Sequence, residues 1–330
     1  MEHLHFLIPD LFPPQDIAAE VCAGLQLPAL EKVLARSTAS ASAFGSLEDW
    51  LCNAFAAKGV APVRAAADGL EVGEGYWLCA DPVSLQLQRA QMLLLPDVVP
   101  NREEAAALCD ALNSHFAGTG MVFFAPHPQR WYVRLEEDQE ITTSPLRNVA
   151  WRDAKFHQPR GADALRWQRI TTEMQMLLYA HPVNQAREAR GQTVINSLWL
   201  WGGGRATQLQ LAHDAVGGDS ELAGAFARVA DVPQIESLQA LLEGQYESGL
   251  WVCDAAGVAL QFGDLYRWRE EVQRVEQELA QPLQKALQAG RLHRLTLEVL
   301  QEKGSQRFEL TRTGAWKLWR AARSLARYAV

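Results

Sequence analysis

Hydrophobic and polar positions along this chain follow helical spacing in some segments and strand-like runs in others. The start, LHFLIPDL, is a short apolar run that predicts a strand at residues 3–8. Helical spacing follows in three segments, at residues 16–25, 28–36 and 47–58. Gly59 is placed as the C-terminal cap of the third helix. The next stretch, 60–74, is rich in Ala and Gly, and we predict a domain boundary there.

The middle of the chain mixes strands and helices. GYWLCADPV and LQRAQMLLL predict two strands joined by a turn at Asp81-Pro82. NREEAAALCDALNSHF predicts a helix with Asn101 as its N-cap, and MVFFAPHPQRWYVRLEE predicts a hairpin. Another helix follows and ends before Pro182, because the residue before a proline avoids the α region. This order predicts a compact α+β domain inserted at residues 75–180.

The last part of the chain returns to alternating helices and strands. VINSLWLW predicts a strand, with Gly202, Gly203 and Gly204 forming a loop after it. Further along, a long helix at 265–289 is expected to kink at Pro282, and a hairpin closes the fold. The predicted fold is therefore an α/β core in two parts, 1–74 and 181–330, split by the insertion.

The tail AWKLWRAARSLARY predicts a short amphipathic helix. Its polar side carries Lys317, Arg320, Arg323 and Arg327, and its apolar side carries Trp316, Trp319 and Leu325. Such a helix docks on a partner or an acidic surface, or it packs back on its own domain. The sequence favours packing but leaves both interpretations open.

Composition and charge narrow the class of protein. The 330 residues carry a net charge of −8, which argues against a general nucleic-acid binder. No run approaches the roughly 18 apolar residues of a membrane span, and the first residues lack a basic signal-peptide pattern. The five cysteines are scattered without CxxC spacing, so we expect a reduced, cytoplasmic protein without a zinc or disulfide framework.

The segment HPVNQAREARGQTVINSLWLWGGG, residues 181–204, carries the main candidate for ligand binding. The candidates are His181, Asn184, Arg187, Arg190, Asn196, Gly202, Gly203 and Gly204. Arginines three residues apart on a helix can capture a carboxylate or phosphate together, and a glycine-rich loop offers backbone N–H groups to an anion. The alternative is that the arginines are solvated, His181 caps a helix and the glycines form a turn.

These motifs resemble a known family. HPVN, NSLWLWGGG and the segments before them resemble the archaeal-type cofactor-independent phosphoglycerate mutases of the alkaline-phosphatase superfamily, from about residue 75 to 204. The combination of HLHFLIPDLF, WLCADPV, APHPQRWY and HPVN…NSLWLWGGG further resembles a proteobacterial group described as regulatory proteins of RpfE type. The resemblance implies an alkaline-phosphatase-like α/β core with an inserted α+β domain.

The resembled mutases use two divalent cations held by Asp and His and a Ser nucleophile. The matching positions here are Asp10, Ser46 and Asp254, which are weak catalytic candidates. Leu11 stands where the family has Gly, no His stands in the turn after Ser46, and Val258 replaces another expected His. Ser46 followed by Leu-Glu-Asp is also a common helix N-cap, and without a nearby His the sequence favours the cap.

The sequence therefore leaves three possibilities open and favours the first: a binding or regulatory protein, an enzyme, and a purely structural scaffold that binds neither metal nor a small anion. In the first class, the protein has lost its catalytic metal site and is a non-catalytic regulatory or phosphometabolite-binding protein, with no cofactor. In the second class, it is an active mutase or phosphatase with a rearranged site and two divalent cations, Mn or Zn. A phosphorylated small molecule and a protein partner are the expected ligands, and neither nucleic acid nor membrane is expected.

Overall fold

The computed structural model describes residues 1–302, 304–317 and 319–329 and divides the chain into two compact units. Unit 1 contains residues 1–55 and the described residues from 209 onward, and unit 2 contains residues 56–208. An α/β fold with an inserted α+β unit, as the sequence predicted, is confirmed. The insertion was predicted at 75–180, whereas unit 2 also takes in the helix before residue 75 and the strand after residue 180, which pack together.

The first part of unit 1 consists of β1 (His3–Leu7), α1 (Ala18–Val21), α2 (Pro28–Arg36), β2 (Thr38–Ala41) and α3 (Leu47–Ala54). Unit 2 consists of α4 (Val60–Ala67), β3 (Tyr76–Gln88), β4 (Gln91–Leu95), α5 (Arg102–His115), β5 (Met121–His127), β6 (Arg130–Leu135), α6 (Leu146–Val149), a 3-10 turn (Ala154–His157), α7 (Ala164–Ala180), α8 (Pro182–Ala189) and β7 (Ser197–Arg205).

The second part of unit 1 begins with β8 (Ala215–Gly218), α9 (Glu221–Val229), β9 (Gln234–Ile235), α10 (Leu238–Glu243), β10 (Ser248–Val252) and α11 (Ala255–Gln261). It continues with α12 (Leu265–Arg274), a π-helical turn (Val275–Ala280), α13 (Gln281–Gln288), β11 (Arg294–Val299), β12 (Gln306–Thr311) and two 3-10 turns, Gly314–Trp316 and Leu325–Tyr328. None of the helices that the structure describes is long and apolar enough to cross a membrane.

Unit 1 is built on a seven-stranded sheet with the order β2-β12-β11-β1-β10-β8-β9. β1 lies at its centre and pairs in parallel with β11 and β10, while β12 pairs antiparallel with β11. Successive side chains of a strand point to opposite faces. Leu4 and Phe6 of β1 therefore enter the main core with α2, α12 and α13, and His3 and His5 point to the other face.

Unit 2 is built on a five-stranded antiparallel sheet in which β3 pairs with β4, β6 and β7. The apolar faces of α5 and α7 cover one side of this sheet, with Trp167, Ile170 and Met174 among the buried residues. These three positions have the helical spacing that the sequence predicted for α7, and that helix ends before Pro182. α4 packs on strands β3 and β7.

β3 is one continuous strand, so the predicted turn at Asp81-Pro82 is wrong. Pro82 has no N–H to donate, but β3 pairs with β6 only up to Cys79 and with β4 only from Ser84. Along that edge, residues 80–83 have no strand partner, and a proline is tolerated there. The turn lies instead between β3 and β4, where Arg89 has a φ of 57°.

Three other local predictions differ from the structure. Gly59 is the N-cap of α4, because α3 already ends at Ala54. The long helix near 265–289 is interrupted by the π-helical turn just before Pro282, which sits in the first turn of α13. In the described part of the tail, only Gly314–Trp316 and Leu325–Tyr328 are helical, so the predicted amphipathic helix is wrong.

Candidate functional site

The 181–204 segment forms α8, a connection and β7, and its buried Asn184 ties these pieces together. The Asn184 side-chain amide donates to the carbonyls of Leu178 and Ile195, each at 2.7 Å, and its Oδ1 accepts from the Ile195 N–H at 2.8 Å. An Asn that saturates three backbone groups is a structural clamp, because each of these buried groups would otherwise lack a partner. Asn184 thus joins the end of α7 to the start of β7.

Arg187 and Arg190 both bind one internal carboxylate, Glu104 of α5. Arg187 Nη1 lies 2.6 Å from one Glu104 oxygen, and Arg190 Nη2 lies 2.6 Å from the other. Burial would raise the pKa of Glu104, but the Asn101 N–H and the Arg187 guanidinium outweigh it and hold that pKa below its usual value. The paired arginines that the sequence singled out are therefore brought together, with a protein carboxylate in the position an anionic ligand would need.

The two arginines differ in exposure. The Arg187 side chain is 4% exposed and also donates from Nε to the Thr193 carbonyl at 2.9 Å. The Arg190 side chain is 51% exposed. A ligand would reach Arg190 from the surface, and it would reach Arg187 only if Glu104 moved.

Gly202, Gly203 and Gly204 lie inside β7, so the predicted glycine loop is wrong. A Cβ on Gly204 would lie 2.3 Å from the Lys58 carbonyl oxygen, and a Cβ on Gly203 would lie 2.3 Å from the Tyr76 hydroxyl. Gly202 has a φ of 68°, close to the point where the pairing of β3 with β7 shifts register. These glycines allow the start of α4 and strand β3 to approach β7 closely.

The two remaining polar candidates of this segment also contact the backbone. Asn196 pairs with both backbone groups of Leu85, accepting from its N–H at 2.7 Å and donating to its carbonyl at 2.9 Å. His181 is the N-cap of α8 and accepts from the Val183 N–H at 3.2 Å. Burial lowers the pKa of His181. Asn196 continues the contact with β3 just before the first residue of β7, and His181 fixes the junction of α7 and α8.

The three weak catalytic candidates come together at one edge of the unit 1 sheet. Asp10 follows β1, and Asp254 follows the neighbouring parallel strand β10. A Cβ placed on Gly45, next to Ser46, would lie 3.8 Å from the carbonyl oxygen of Gln301, just after β11. Carboxyl ends of parallel strands are the usual place for ligands in open α/β sheets. The three candidates therefore lie at the edge where ligands of such sheets commonly bind, and their catalytic role stays a prediction.

The local contacts of these candidates are those of turns and helix ends. Ser46 is the N-cap of α3 and accepts from the Asp49 N–H at 3.1 Å. Asp254 precedes α11 and donates its N–H to Asp219 at 2.6 Å. Asp10 adopts a φ of 51°, and its carbonyl accepts from the Trp268 indole. The N-cap alternative for Ser46 thus describes its observed contact.

Asp219, which sequence reasoning missed, lies at the same edge after β8 and is bound by a cation. One of its oxygens accepts from the first N–H groups of α11, and the other lies 2.5 Å from Arg274 Nη2. Arg274 also lies 2.7 Å from Glu271. Burial alone would lower the pKa of Arg274, but the carboxylates of Asp219 and Glu271 outweigh burial and raise that pKa above its usual value. The Arg274 guanidinium thus supplies the positive charge that a bound metal cation would otherwise supply to these carboxylates.

The alternative with two divalent cations depends on whether the residues at this edge fit a metal. Within the residues described by the structure, no group of three or more His, Cys, Asp or Glu side chains has a metal-binding arrangement. The carboxylates of Asp10 and Asp254 suit a hard cation, but Val258 stands where the resemblance implies a His ligand. The described residues at this edge therefore do not fit a centre with two divalent cations.

Three histidines gather on the face of the unit 1 sheet opposite the main core. The ring centroids of His3, His5 and His213 lie 5.8–6.0 Å apart. His5 Nε2 lies 2.9 Å from the buried carboxylate of Glu298, which also accepts from the Trp50 indole at 3.2 Å. We call these five residues the histidine centre. Sequence alternation in HLHFL places His3 and His5 on one face, but only the fold adds the other residues.

The sequence reasoning also missed a buried ion pair in unit 2. Arg64 of α4 binds Asp81 of β3 through its two terminal guanidinium nitrogens, Nη1 and Nη2. Its Cζ atom lies 5.0 Å from the ring centroid of Tyr132 and 5.1 Å from that of Trp201. The Trp201 indole donates to Asp81 at 2.8 Å. Burial alone would lower the pKa of Arg64, but the charge of Asp81 raises it. We call Arg64, Asp81, Tyr132 and Trp201 the arginine centre.

About a third of the chain is homologous to known phosphoglycerate mutases. The chain is 30% identical over 115 residues to the 2,3-bisphosphoglycerate-independent phosphoglycerate mutase of Methanothrix thermoacetophila. The matched residues make up 35% of this chain and 29% of that protein. The chain is 29% identical over 92 residues to a probable enzyme of the same name from Geobacter sulfurreducens, which is 28% of this chain and 22% of that protein. The chain thus spans less than a third of the length of these relatives. No family model matches the chain.

One solved structure supports the fold. The chain superposes on the PH0037 protein from Pyrococcus horikoshii with a TM-score of 0.57 and 13% identity, over 98% of this chain and 91% of that one. With the cofactor-independent phosphoglycerate mutase from Thermoplasma acidophilum, the TM-score is 0.45 and the identity 11%, over 94% and 89% of the two chains. The first superposition, which covers 98% of this chain, is the one that supports the fold.

Proposed function

We propose that this protein is a phosphoglycerate-mutase-like protein that has lost its catalytic metal site and binds a phosphorylated metabolite without turning it over. We further propose a regulatory role in the cytoplasm, as the resemblance to proteobacterial RpfE-type regulatory proteins implies. A protein partner is part of this proposal. The net charge of −8 gives no support to nucleic acid as a partner.

The observation that carries the non-catalytic part is the ion pair of Asp219 and Arg274. It lies at the sheet edge that holds the weak catalytic candidates. The guanidinium of Arg274 repels a divalent cation that approaches the same carboxylates. The Ser46 hydroxyl oxygen accepts a hydrogen bond from the Asp49 N–H, as an N-cap does. Both features support a site that is no longer organised for metal-assisted phosphoryl transfer.

The metabolite-binding part is supported by the arrangement of Glu104 with Arg187 and Arg190. Each arginine contributes a donor to one oxygen of the same carboxylate, which is the geometry that two arginines offer to a carboxylate or phosphate ligand. We propose that Glu104 competes internally with the ligand. Binding would then require Glu104 to swing away, which couples ligand occupancy to the position of α5.

The first experiment separates the two classes of function. The purified protein is incubated with Mn²⁺ and Zn²⁺, desalted and analysed for metal, and the same sample is assayed for mutase activity. We expect no stoichiometric metal and no turnover. Two metals per chain together with turnover would contradict the non-catalytic proposal.

The second experiment tests the anion site with 3-phosphoglycerate in isothermal titration. Glu104→Gln keeps the shape and the acceptor for the Asn101 N–H but removes the competing charge, so we expect it to bind at least about tenfold more tightly than the wild type. Glu103→Gln is the matched control, because it removes a neighbouring exposed charge on α5. Adding Arg190→Gln to Glu104→Gln should abolish the gain. If Glu104→Gln binds no better than the wild type, these arginines are structural only.

The alternative is an active metal-dependent mutase or phosphatase with a rearranged site. It is favoured by the placement of Asp10, Ser46 and Asp254 at one sheet edge. It predicts tightly bound divalent cations, and it predicts that Asp10→Asn and Ser46→Ala abolish turnover. A protein that turns over substrate equally well with and without Ser46 would exclude that serine as the nucleophile.

A further inference from the structure

The end of the chain differs in charge from everything before it. Residues 311–330 contain five cations and no Asp or Glu, in a chain whose net charge is −8, so the first 310 residues carry −13. The cations are Arg312, Lys317, Arg320, Arg323 and Arg327. Blocks of one charge sign on a chain of the other sign commonly mark an interaction segment.

This segment is held to unit 1 at both ends. The carbonyl of the buried Ala315 accepts from Arg36 Nη1 at 2.6 Å. The side chain of Leu325 is buried, and its N–H donates to Glu31 at 3.2 Å. Tyr328 stacks on Phe12 with ring centroids 5.6 Å apart. The described residues between these anchors form a strap, which we define as Trp316, Lys317 and residues 319–324.

The strap presents its aromatic and basic side chains to solvent. Trp316 is 56% exposed and Trp319 is 79% exposed, and Arg320 and Arg323 are also exposed. Exposed tryptophans are costly in water, and Trp and Arg are the residues that most often dominate the energy of protein interfaces. Both anchors keep the strap in place, so little conformational entropy is lost when it binds.

We propose that the strap docks an acidic segment of a partner protein, one in which Asp or Glu residues alternate with apolar side chains. The carboxylates would pair with Lys317 and Arg323, and the apolar side chains would cover the indoles of Trp316 and Trp319. A short segment contacts only the strap. An anionic bilayer or a nucleic acid extends further, so the −13 charge of the remaining chain would repel it.

Fluorescence anisotropy of the full chain tests this docking. The probe is a fluorescein-labelled peptide of three Asp-Glu-Leu-Phe repeats, and its partner peptide has Asn-Gln in place of Asp-Glu. We expect the acidic probe to bind and the neutral one not to bind. Affinity should fall as NaCl rises from about 50 mM to about 300 mM, because exposed charges are screened.

Two strap variants and one control locate the binding. Lys317→Gln with Arg323→Gln should weaken the acidic probe at least about tenfold, and Trp319→Ser should weaken it about fivefold or more. Arg320 is left unchanged because it donates to the Ser37 carbonyl and helps to hold the strap. The control, Arg102→Gln with Arg169→Gln, removes the same charge from exposed sites in unit 2 and should leave affinity within about twofold.

Three results would overturn the proposal. One is equal binding of the probe to the wild type and to the strap variants. Another is tighter binding to vesicles that contain phosphatidylserine than to the peptide, and the third is tighter binding to an oligo-dT strand. Titration of 3-phosphoglycerate into the strap variants keeps the metabolite site as a separate readout.

Discussion

The arginine centre and the histidine centre are two ways of burying polar groups against a sheet. In the arginine centre, the two charges pair with each other. Both are buried, because the Arg64 side chain is 12% exposed and the Asp81 side chain is 3% exposed. In the histidine centre, His5 is the one imidazole with a carboxylate partner among the described residues, and none of these residues supplies a hydrogen bond to the buried His213 Nδ1. The first is an ion pair inside unit 2, and the second contains two histidines, His3 and His213, whose pKa values burial lowers.

The difference shows how titration properties follow from pairing. In the arginine centre, the charge of Asp81 raises the pKa of Arg64, although burial alone would lower it. Burial, together with the neighbouring positive groups, lowers the pKa of His3 to about 4, and burial with His5 lowers the pKa of His213 to about 4. We therefore expect the arginine centre to respond to mutation and the histidine centre to respond to acid.

The largest effect should come from breaking the buried ion pair. Asp81→Asn leaves the Arg64 charge without its partner and should lower the free energy of unfolding by about 3–5 kcal/mol. Urea denaturation of the full chain measures this. Asp110→Asn, at an exposed position of α5, is the control and should change stability by less than about 0.5 kcal/mol. If Arg64→Met added to Asp81→Asn recovers no stability, an uncompensated charge is not the cause.

Filling the close approach at β7 should have the next largest effect. Gly204→Ala places a methyl group 2.3 Å from the Lys58 carbonyl oxygen, and the backbone must shift. We expect a loss of about 1–3 kcal/mol in urea denaturation. Gly45→Ala is the control, because its Cβ would meet its nearest atom at 3.8 Å. A stable Gly204→Ala protein would show that these glycines are not required for packing.

Acid should destabilise unit 1 through the histidine centre. The pKa values of His3 and His213 are depressed to about 4 from 6.5, so the folded state binds fewer protons than the unfolded chain. Stability is complete above about pH 6.5 and falls toward pH 4, by at most about 1.4 kcal/mol per pH unit for each histidine, and by less where solvent screens the charge.

The groups that face these histidines define the control for this pH profile. Arg294 and Arg307 add positive charge beside His3, and Asp214 opposes the effect at His213. His213→Asn should flatten the decline of the urea midpoint between pH 6.5 and 4.5, while His157→Asn should leave it unchanged. Equal slopes for His213→Asn and the wild type would mean that other groups control the acid response.

The smallest effect should come from the cap of α3. Ser46→Ala removes the acceptor for the Asp49 N–H and should cost about 1 kcal/mol. Thermal or urea denaturation detects this, and a mutase assay on the same sample tests the role of Ser46 as a nucleophile. A fully stable Ser46→Ala protein would show that the serine is not an effective cap.

Local patterns predicted much of the secondary structure because they involve neighbours in sequence. The strand at His3, the helix from Pro28 and the N-cap Asn101 depend on spacing and on contacts within a few residues. The continuous β3 was missed, because Asp-Pro ordinarily indicates a turn. The buried Asp81 is acceptable because Arg64, 17 residues away, balances its charge and the Trp201 indole donates to it.

For the candidate site, the sequence identified residues, and the tertiary structure decided their partners. HPVN…R…R indicated an anion-binding pair, and the fold supplied Glu104, more than 80 residues earlier, as the anion. GGG indicated a loop, and the fold used it to admit α4 against β7. Sequence by itself determined the α/β class with an insertion and the acidic charge with a basic end. Charge pairing and close packing join residues distant along the chain, so only the tertiary structure decided which groups are satisfied and which remain for a ligand.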